Sequence, residues 1–409
     1  MMTGMDEQPP PQHETTTRRI LRRWLPLGLA LAAVLAGMAI LGLIAVRGRR
    51  FWRPLPVVPP FPAAAASITC PETVPVAIAS SAPSLAVACP DGGNWYAPGE
   101  RFLDMGEGPW EITETDGALV FEGKPVPEGE LRLLTNEDAF VLGKRSYRGD
   151  LTVKVRSDGG LRAVNDLAPE DYVAAVVGSE MYSRWPMETL MAQAVAARTF
   201  MLHTLSERGY MVWTDMAYGG VDAESRSSRL ATKLTRGIIL VWDDRPLPAY
   251  FQSTCGGQTV AVERMFASDP IPPLRGVDCP WCRSSRWYDW HFEMAGREIA
   301  KRLEGFGLAE VRSIKPIETE PDGYARFVLI NHDVKLAAGA LRSALGGNRM
   351  RSTKFQVTEQ DGVFSFDGLG FGHGVGMCQW GARGMARAGH TWQEILLHYY
   401  PGAAIRKAY

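Results

Sequence analysis

The feature that most constrains this chain is one long apolar segment near its start. Residues 25–46 (LPLGLALAAVLAGMAILGLIAV) carry no charged side chain, and arginines flank them on both sides. At 1.5 Å per residue, about 22 helical residues span the roughly 30 Å hydrocarbon core of a bilayer. The sequence therefore predicts an uncleaved transmembrane anchor. A cleaved signal peptide is the alternative, but its apolar core is shorter and ends in small residues, whereas basic RGRRFWR follows here.

The predicted anchor divides the chain into unequal parts. Residues 1–24 are polar and proline-rich, as in a disordered tail, and 47–67 form a proline-rich linker that acts as a spacer from the membrane. Residues 68–409 have globular composition and ample length for a hydrophobic core. The flanking arginines balance, so charge does not fix the orientation of the anchor. The net charge of -1 gives no field that would attract nucleic acid.

The globular part begins with alternating apolar and polar residues. From Val74 to Val164, segments such as ALVFEG, AFVLG and LTVKVRSDGG break at Gly, Asn or Asp, as short strands do. This pattern predicts a mostly β lead-in. Together with the helical patterns that follow, it predicts an α+β fold of mixed strands with a helical insertion that carries the active site.

Two consecutive helices are predicted after the strands. A proline and two acidic residues at 169–171 suit the first turn of a helix, and Gly178 is a candidate for its end. Pro186 opens a second helix, in which apolar residues repeat at helical spacing. Glu180 lies in the connector, SEMYSRW. The negative end of the helix dipole and the neighbouring aromatic residues predict a raised pKa for its carboxyl, as a general acid requires. A solvated loop glutamate is the interpretation that these residues alone favour.

A glycine-dense stretch, GLGFGHGVGMCQWGARGMARAG, lies near the C-terminus. Its glycines allow positive φ angles and let the backbone approach a ligand closely. It also holds His373, Gln379 and Trp380, and aromatic and amide side chains are the groups that bind sugars. The lysine of a phosphate-binding loop is absent from the stretch. A packed turn around a buried histidine is the alternative.

The cysteines allow two kinds of cross-link. Cys279-Pro-Trp-Cys282 has the C-x-x-C spacing of a zinc half-site, and Cys255 precedes it in the chain. A structural zinc on these three residues and a disulfide from Cys255 to either of the others are equally supported. A second disulfide is expected between Cys70 and Cys89, which bracket a loop of suitable length. The remaining cysteine, in the glycine-dense stretch, fits a small buried residue.

Several of these segments occur together and in a recognisable order. They are VVGSEMYSRWPMETLMAQAVAARTF, YFQSTCGGQTV, GVDCPWC, LRSALG, RSTKFQV and GLGFGHGVGMCQWGARGMA. With them, the chain from Val74 to its C-terminus resembles the stage II sporulation protein D family. The resemblance implies a peptidoglycan lytic transglycosylase that cleaves between N-acetylmuramic acid and N-acetylglucosamine. It places the catalytic acid and base at Glu180 and implies no cofactor for catalysis.

The implied reaction needs one carboxyl group. Ordinary glycosidases use two carboxylates. In a lytic transglycosylase the sugar's own C6 hydroxyl attacks C1, which gives a 1,6-anhydromuramic acid end and consumes no water. Glu180 can protonate the leaving oxygen and then deprotonate that hydroxyl. Asp171 or Glu188 could act as a second group, which keeps a hydrolysing muramidase open.

Other side chains are expected to bind the substrate. The candidates are Arg198, Gln193, His373 and Gln379. The first two lie on the second predicted helix, where an arginine could clamp a carboxylate, although a surface arginine is the simpler interpretation. Two tryptophans, Trp287 and Trp290, fit either a glycan groove or the core.

Two positions depart from the family pattern. Met191 stands where the second helix usually carries a lysine, and Gln252 replaces the histidine of a His-Ser-Thr block. The departures keep open a non-enzymatic role, because related proteins resemble modifiers that bind glycan and stimulate a partner amidase. The family also offers precedents for zinc near the cysteines, although not with these residues. Because the glycan lies outside the cytoplasm, a single-pass protein with residues 1–24 inside and 68–409 outside is expected.

Overall fold

The structure is a computed structural model of the chain, and it describes residues 61–63, 68–99, 101–136, 139–319 and 322–409. The predicted tail 1–24 and anchor 25–46, and most of the linker 47–67, lie outside these ranges. Within them, no helix combines the length and the apolar character that crossing a bilayer requires.

The described chain begins with strands, as the alternating pattern predicted. In the last of them every second side chain is buried, from Leu161 to Leu167, which is the period of a strand with one face on a core. The strands that precede the first helix are β1 Val74–Ala82, β2 Ser84–Ala88, β3 Gly93–Ala97, β4 Arg101–Gly106, β5 Trp110–Thr115, β6 Ala118–Phe121, β7 Lys124–Pro125, β8 Glu130–Thr135, β9 Ala139–Leu142, β10 Arg145–Arg148, β11 Asp150–Val155 and β12 Leu161–Leu167.

Helices and shorter strands alternate in the rest of the described chain. The helices are α1 Pro169–Glu180, α2 Met187–Arg208, α3 Arg226–Leu234, α4 Val262–Met265, α5 Gly296–Arg302, α6 Ala338–Leu345, α7 Gln379–Ala388 and α8 Trp392–Tyr399. The later strands are β13 Met211–Val212, β14 Ile238–Trp242, β15 Arg245–Pro246, β16 Phe251–Gln252, β17 Asp289–Ala295, β18 Ile314–Ile317, β19 Phe327–Ile330, β20 Val334–Ala337, β21 Phe355–Gln360, β22 Val363–Leu369, β23 Met377–Cys378 and β24 Ala404–Lys407.

The strands pair into two large sheets and several small ones. The large sheets have the orders β13-β1-β12-β11-β8-β3-β4 and β10-β9-β2-β5-β6-β7. The small sheets are β15-β14-β24, β16-β23, β17-β22-β21 and β18-β19-β20. Helices and sheets thus mix along one chain, which confirms the predicted α+β class. The parallel pair of β16 with β23 joins segments that are distant in sequence, with Gln252 opposite Cys378.

Two hydrophobic cores support this architecture. The larger core includes α1, α2, α7, α8 and the two large sheets, with fully buried side chains such as Trp95, Tyr172 and Trp392. The smaller core lies under β17, β21 and β22 and includes Trp290, Phe364 and Phe366. Trp290 is therefore a core residue.

The first predicted helix extends beyond the glycine that was expected to end it. Pro169 occupies its first turn and Glu170 and Asp171 follow, as the sequence indicated, but α1 continues through Gly178 to Glu180. The glycine serves close packing instead, because a Cβ at this position would overlap the backbone carbonyl of Ala223. The prediction of a helix end at Gly178 was wrong for that reason.

Substitution of Gly178 tests this packing. We expect Gly178→Ala to lower the free energy of unfolding by about 1–3 kcal/mol, because the added methyl group has no space. Gly339→Ala is the matched control: Gly339 also lies in a helix, but a Cβ there meets open space. That variant should gain about 0.5–1 kcal/mol. Chemical denaturation measures both, and equal effects would contradict the packing role.

Candidate active site at the end of the first helix

Glu180 is the last residue of α1, not a connector residue as the sequence suggested. The next residue, Met181, is extended, and its N–H donates to the carbonyl of Val177. This arrangement ends the helix directly after the carboxyl-bearing side chain. The carboxyl group therefore lies at the negative end of the helix dipole, which disfavours its charged form.

Two groups from distant parts of the chain donate hydrogen bonds to this carboxyl. The backbone N–H of Ala217 donates to Oε1 at 2.9 Å. The Nε2 amide of Gln379 donates to Oε2 at 2.9 Å. Each carboxyl oxygen thus has one donor. The loop that supplies Ala217 is held by Tyr218, whose hydroxyl donates to Asn165 Oδ1 at 2.6 Å.

The carboxyl opens onto a small cleft of about 320 Å³. The side chains around this cleft are mostly aromatic or apolar, and Glu180 is partly exposed within it. The lining residues are Glu180, Phe200, Thr214, Asp215, Met216, Ala217, Tyr250, Phe251, Phe266 and His373. Larger clefts of about 900 and 830 Å³ lie elsewhere on the described surface, but Glu180 lines neither of them.

Burial raises the pKa of Glu180 above its ordinary value. The donors Ala217 and Gln379 favour the charged form and oppose this shift. Burial is the larger effect, so the group keeps its proton to a higher pH than a solvated glutamate. The raised pKa that the sequence suggested is therefore also the direction that the structure gives.

Gln379 is the predicted binding residue that lies closest to the proposed acid. It is the first residue of α7 and is buried, with 4% of its surface exposed. A glutamine amide contains both a donor and an acceptor. It can therefore donate to a carboxylate or, with its amide reversed, accept from a protonated carboxyl.

His373 lies in the cleft, but both of its ring nitrogens bond to the backbone. Nδ1 accepts from the N–H of Val375 at 3.1 Å, and Nε2 donates to the carbonyl of Phe251 at 2.9 Å. Burial lowers the pKa of His373 to about 4, so the ring is neutral. The side chain can contact a ligand through its ring face, while its polar atoms organise the glycine-dense loop.

Arg198 does not lie in the cleft. Its guanidinium is completely buried and makes a bidentate pair with Glu170 at 2.8 and 2.7 Å. It also donates to the carbonyl oxygens of Ile238 and Thr232. Since Glu170 is ten residues before Glu180, this pair lies about 15 Å away along the helix axis. The expectation that Arg198 binds substrate does not fit this position, and the residue instead ties α1 to α2 and β14.

Gln193 also lies in the interior, away from the cleft. It is fully buried in α2, and neither polar atom of its side chain has a hydrogen-bond partner among the described residues. Met191, one of the two departures from the family pattern, is likewise part of the larger core. The middle of α2 is therefore interior, and the expected substrate contact of Gln193 does not fit it.

The second departure, Gln252, contacts the backbone of the glycine-dense loop. Its Oε1 accepts from the N–H of Gly374 at 2.6 Å, and a Cβ at Gly372 would collide with its side chain. It does not line the cleft. The substitution therefore affects the packing under the loop more directly than the cleft surface.

The two expected alternative carboxyls are engaged elsewhere. Asp171 pairs with Arg229 near the start of α1, and Glu188 accepts the N–H of Trp392 at 2.7 Å where α8 begins. The carboxyl that does share the cleft is Asp215, which sequence reasoning missed. It pairs with Arg208 and accepts the N–H of Val212. Its loop, WTDMAYGG, has no local pattern that would have indicated this position.

A belt of arginines and aromatic rings adjoins the site. In this arginine–aromatic belt, contacts run continuously from Arg351 and Arg286 on Trp287, through Tyr182 and Trp185, to Trp380 and Arg383. Tyr182 and Trp185 lie two and five residues after Glu180, and Trp380 directly follows Gln379. The belt arginines form no ion pair with a carboxylate of a described residue.

Four cysteines, not three, meet in the interior. Cys378 joins Cys255, Cys279 and Cys282, and the four Sγ atoms all lie within 4.8 Å of one another. Hydrogen bonding with the Cys255 and Cys279 thiols lowers the pKa of Cys282. The interpretation of Cys378 as a simple packing residue was therefore incomplete. Thiolate sulfur is a preferred ligand of zinc, so this donor set fits the expected metal.

The expected disulfide between Cys70 and Cys89 is absent from the described structure, where both thiols are free. Cys70 is near Tyr409 and Glu170. Cys89 instead donates to the carbonyl of Gly92. The two side chains have different neighbours, so loop length alone was a poor guide to their pairing.

Comparison with known proteins agrees with the resemblance. The stage II sporulation protein family model matches residues 157–242. An uncharacterized protein of Brachyspira hyodysenteriae is 33% identical over 315 residues, which are 72% of this chain and 84% of that protein. Stage II sporulation protein D of Bacillus amyloliquefaciens is 31% identical over 267 residues, 60% of this chain and 76% of that protein.

The chain therefore belongs to the stage II sporulation protein D family. A more distant relative, the amidase enhancer of Bacillus subtilis, is 23% identical over 280 residues. These cover 56% of this chain and 39% of that protein. This chain is thus also similar to a protein named for its effect on an amidase.

The structural role of Arg198 can be tested through its partner. We expect Glu170→Gln to lower the free energy of unfolding by about 3–5 kcal/mol, because it leaves a buried guanidinium without its counter-charge. Asp158→Asn breaks a bidentate pair with Arg156 that is solvent-exposed, and should leave the stability almost unchanged. Urea denaturation of both variants gives the comparison. Similar losses would show that the Arg198 pair is not a buried tie.

Proposed function

We propose that this protein is a peptidoglycan lytic transglycosylase, a glycan-cleaving lyase with Glu180 as its general acid and base. The observation that carries the proposal is one carboxyl with a raised pKa, held by two donors at an apolar cleft. Its position in the family's first motif supports the same role. The products would be glycan strands that end in 1,6-anhydro-N-acetylmuramic acid.

In the first step, protonated Glu180 donates its proton to the glycosidic oxygen between the two sugars. The bond from C1 of the muramic acid to that oxygen breaks, and N-acetylglucosamine leaves with a free C4 hydroxyl. Positive charge develops at C1, and the new Glu180 carboxylate lies near it. The donors Ala217 and Gln379 stabilise that carboxylate as it forms.

In the second step, the carboxylate takes the proton of the C6 hydroxyl of the same muramic acid. The C6 oxygen attacks C1 and closes the anhydro ring, and Glu180 returns to its protonated state. No water enters the balance. Gln379 suits both halves of this cycle, because its amide can donate to the carboxylate or accept from the protonated carboxyl.

A hydrolysing reaction would require a second group that positions and activates water. Asp215 is the nearest candidate because it lines the same cleft. Its Oδ2, however, already accepts from Arg208 and from the Val212 N–H. A water molecule would have to compete with these donors for that oxygen, which favours internal attack by the sugar.

The arginine–aromatic belt supports a long anionic glycan as substrate. Tyr182 is an exposed ring on which a sugar can stack, and the belt arginines offer donors to the carboxylates of muramic acid or its stem peptides. The belt joins two residues that come soon after Glu180 in the chain, Tyr182 and Trp185, to Trp380, which follows Gln379. A strand bound to the belt would extend from it toward the Glu180 carboxyl.

Such a substrate lies outside the cytoplasm, so we place the catalytic domain there, with residues 25–46 as a single membrane anchor. The second candidate is a non-catalytic glycan-binding activator of a cell-wall amidase. The similarity to the amidase enhancer favours it. Both candidates use the belt, but only the first requires the proton of Glu180.

Digestion of purified sacculi separates these functions. We expect mass spectrometry to find anhydro ends, and we expect Glu180→Gln to reduce cleavage by about 10²–10⁴-fold while glycan binding persists. Glu188→Gln is the matched control, since Glu188 is also a partly buried carboxyl with a raised pKa, but it accepts the N–H of Trp392 instead. It should remain active.

The alternatives give different products. Reducing ends would assign a hydrolase, and intact strands that bind the wild-type protein would assign the amidase activator. Cleavage by the Glu180→Gln variant at the wild-type rate would remove Glu180 from the mechanism. Each result contradicts the proposal at a different step.

The pH dependence of cleavage should move when Gln379 is replaced. An acid works only while protonated, so the rate should fall as pH rises through the pKa of Glu180. Gln379→Leu removes a donor to the charged form, which raises that pKa further, and the alkaline limb should shift to higher pH. Rate profiles over pH measure this. A lower rate with an unchanged limb would mean that Gln379 acts only in packing.

A further inference from the structure

We infer that Cys255, Cys279, Cys282 and Cys378 form one closed, structural zinc site that holds the start of α7 in place. The observation is the cluster itself, because four buried cysteine sulfurs lie within 4.8 Å of one another. A tetrahedral zinc with Zn–S bonds of about 2.3 Å places its sulfurs about 3.8 Å apart. The Cys255 and Cys282 sulfurs are 3.7 Å apart. A disulfide would need about 2.05 Å.

The chain brings these ligands from three separate segments. Cys255 follows β16, while Cys279 directly precedes the short turn Pro280–Ser284 and Cys282 lies within it. Cys378 ends β23, which pairs in parallel with β16. The C-x-x-C turn is a typical zinc half-site, and β-sheet pairing places the other two sulfurs beside it. Sequence spacing alone could not indicate Cys378, because it lies 123 residues from Cys255.

Groups around the sulfurs are arranged to support negative charge. The backbone N–H groups of Cys255 and Gly381 both point at the Cys378 sulfur, each at 3.3 Å. The hydroxyl of Tyr399 lies 3.1 Å from the Cys279 sulfur. Four thiolates with a zinc ion carry a net charge of about -2, and N–H and O–H donors of this kind stabilise metal-bound thiolates.

The site is closed, so its role is structural. All four cysteines are buried, and four protein ligands complete the tetrahedral coordination of zinc without a position for water or substrate. Nothing in the reaction at Glu180 passes through the metal. Its contribution is to fix the segments that carry the ligands.

One of those segments supplies Gln379. Cys378 directly precedes Gln379, and its sulfur caps the first turn of α7 by accepting the N–H of Gly381. The N–H of Trp380 donates to the carbonyl of Ser253, which lies two residues before Cys255. Zinc on Cys378 and Cys255 would therefore hold both sides of this contact. The effect of the zinc on the Gln379–Glu180 hydrogen bond matters only if the proposed function holds. The metal site itself does not depend on that function.

Metal analysis of the detergent-purified full chain tests the site without reference to activity. We expect about one zinc per chain, and the same protein loaded with Co²⁺ should show the visible absorption of tetrahedral cobalt–thiolate. Cys282→Ser should lose the metal and melt at a lower temperature. Cys89→Ser is the control, since Cys89 is also buried but lies outside the cluster. It should retain its zinc.

Three results would overturn the inference. They are wild-type protein without metal, a Cys282→Ser variant with unchanged zinc content, and disulfides among the four cysteines in the non-reduced protein. If the cobalt spectrum and zinc content are as expected but sacculi stay intact, the proposed enzyme fails and the metal site stands. If the metal site and the cleavage activity are both found, zinc-depleted protein should lose cleavage while it still binds glycan.

Discussion

The site depends on one partly buried carboxyl at the end of a helix that is hydrogen-bonded at both oxygens. Burial and the helix dipole disfavour the charge on Glu180, while the donors Ala217 and Gln379 favour it. A hydrogen bond to a charged group contributes about 1.5–3 kcal/mol, so these donors are substantial, yet the pKa of Glu180 is still raised. The carboxyl therefore keeps its proton to a higher pH than a solvated glutamate, and two donors are already in place for the carboxylate that forms when the proton leaves.

The surrounding fold holds this arrangement from several sides. The buried pair of Arg198 and Glu170 ties α1 to α2 at the far end of the helix, and Gly178 allows the Ala223 backbone to pack against the near end. Tyr218 fixes the loop that presents Ala217. Arg198, which the sequence suggested as a ligand contact, instead ties the helix that carries Glu180 to α2.

The glycine-dense stretch connects the two unusual clusters of the molecule. On one side, the neutral ring of His373 and the amide of Gln252 shape its backbone through bonds to Val375, Phe251 and Gly374. On the other side, Cys378 places it against the sulfur cluster and leads directly into Gln379. The chain therefore passes from a sulfur ligand to a partner of the carboxyl within one peptide bond. Close backbone approach at these glycines makes such a compact path feasible.

The sequence by itself determined the elements whose signals are local. The alternation of the lead-in strands, the proline and acidic residues that open α1, the length of α2 and the motif that contains Glu180 follow from short-range spacing. The roles of Arg198 and Gln193 did not follow from the sequence, because a polar residue on a helix has the same spacing whether it faces a ligand or a core. Only tertiary packing brought Gln379 to Glu180 across 199 residues and placed Cys378 and Asp215 in their clusters. Such contacts depend on how distant elements pack, and that information is not contained in any local pattern.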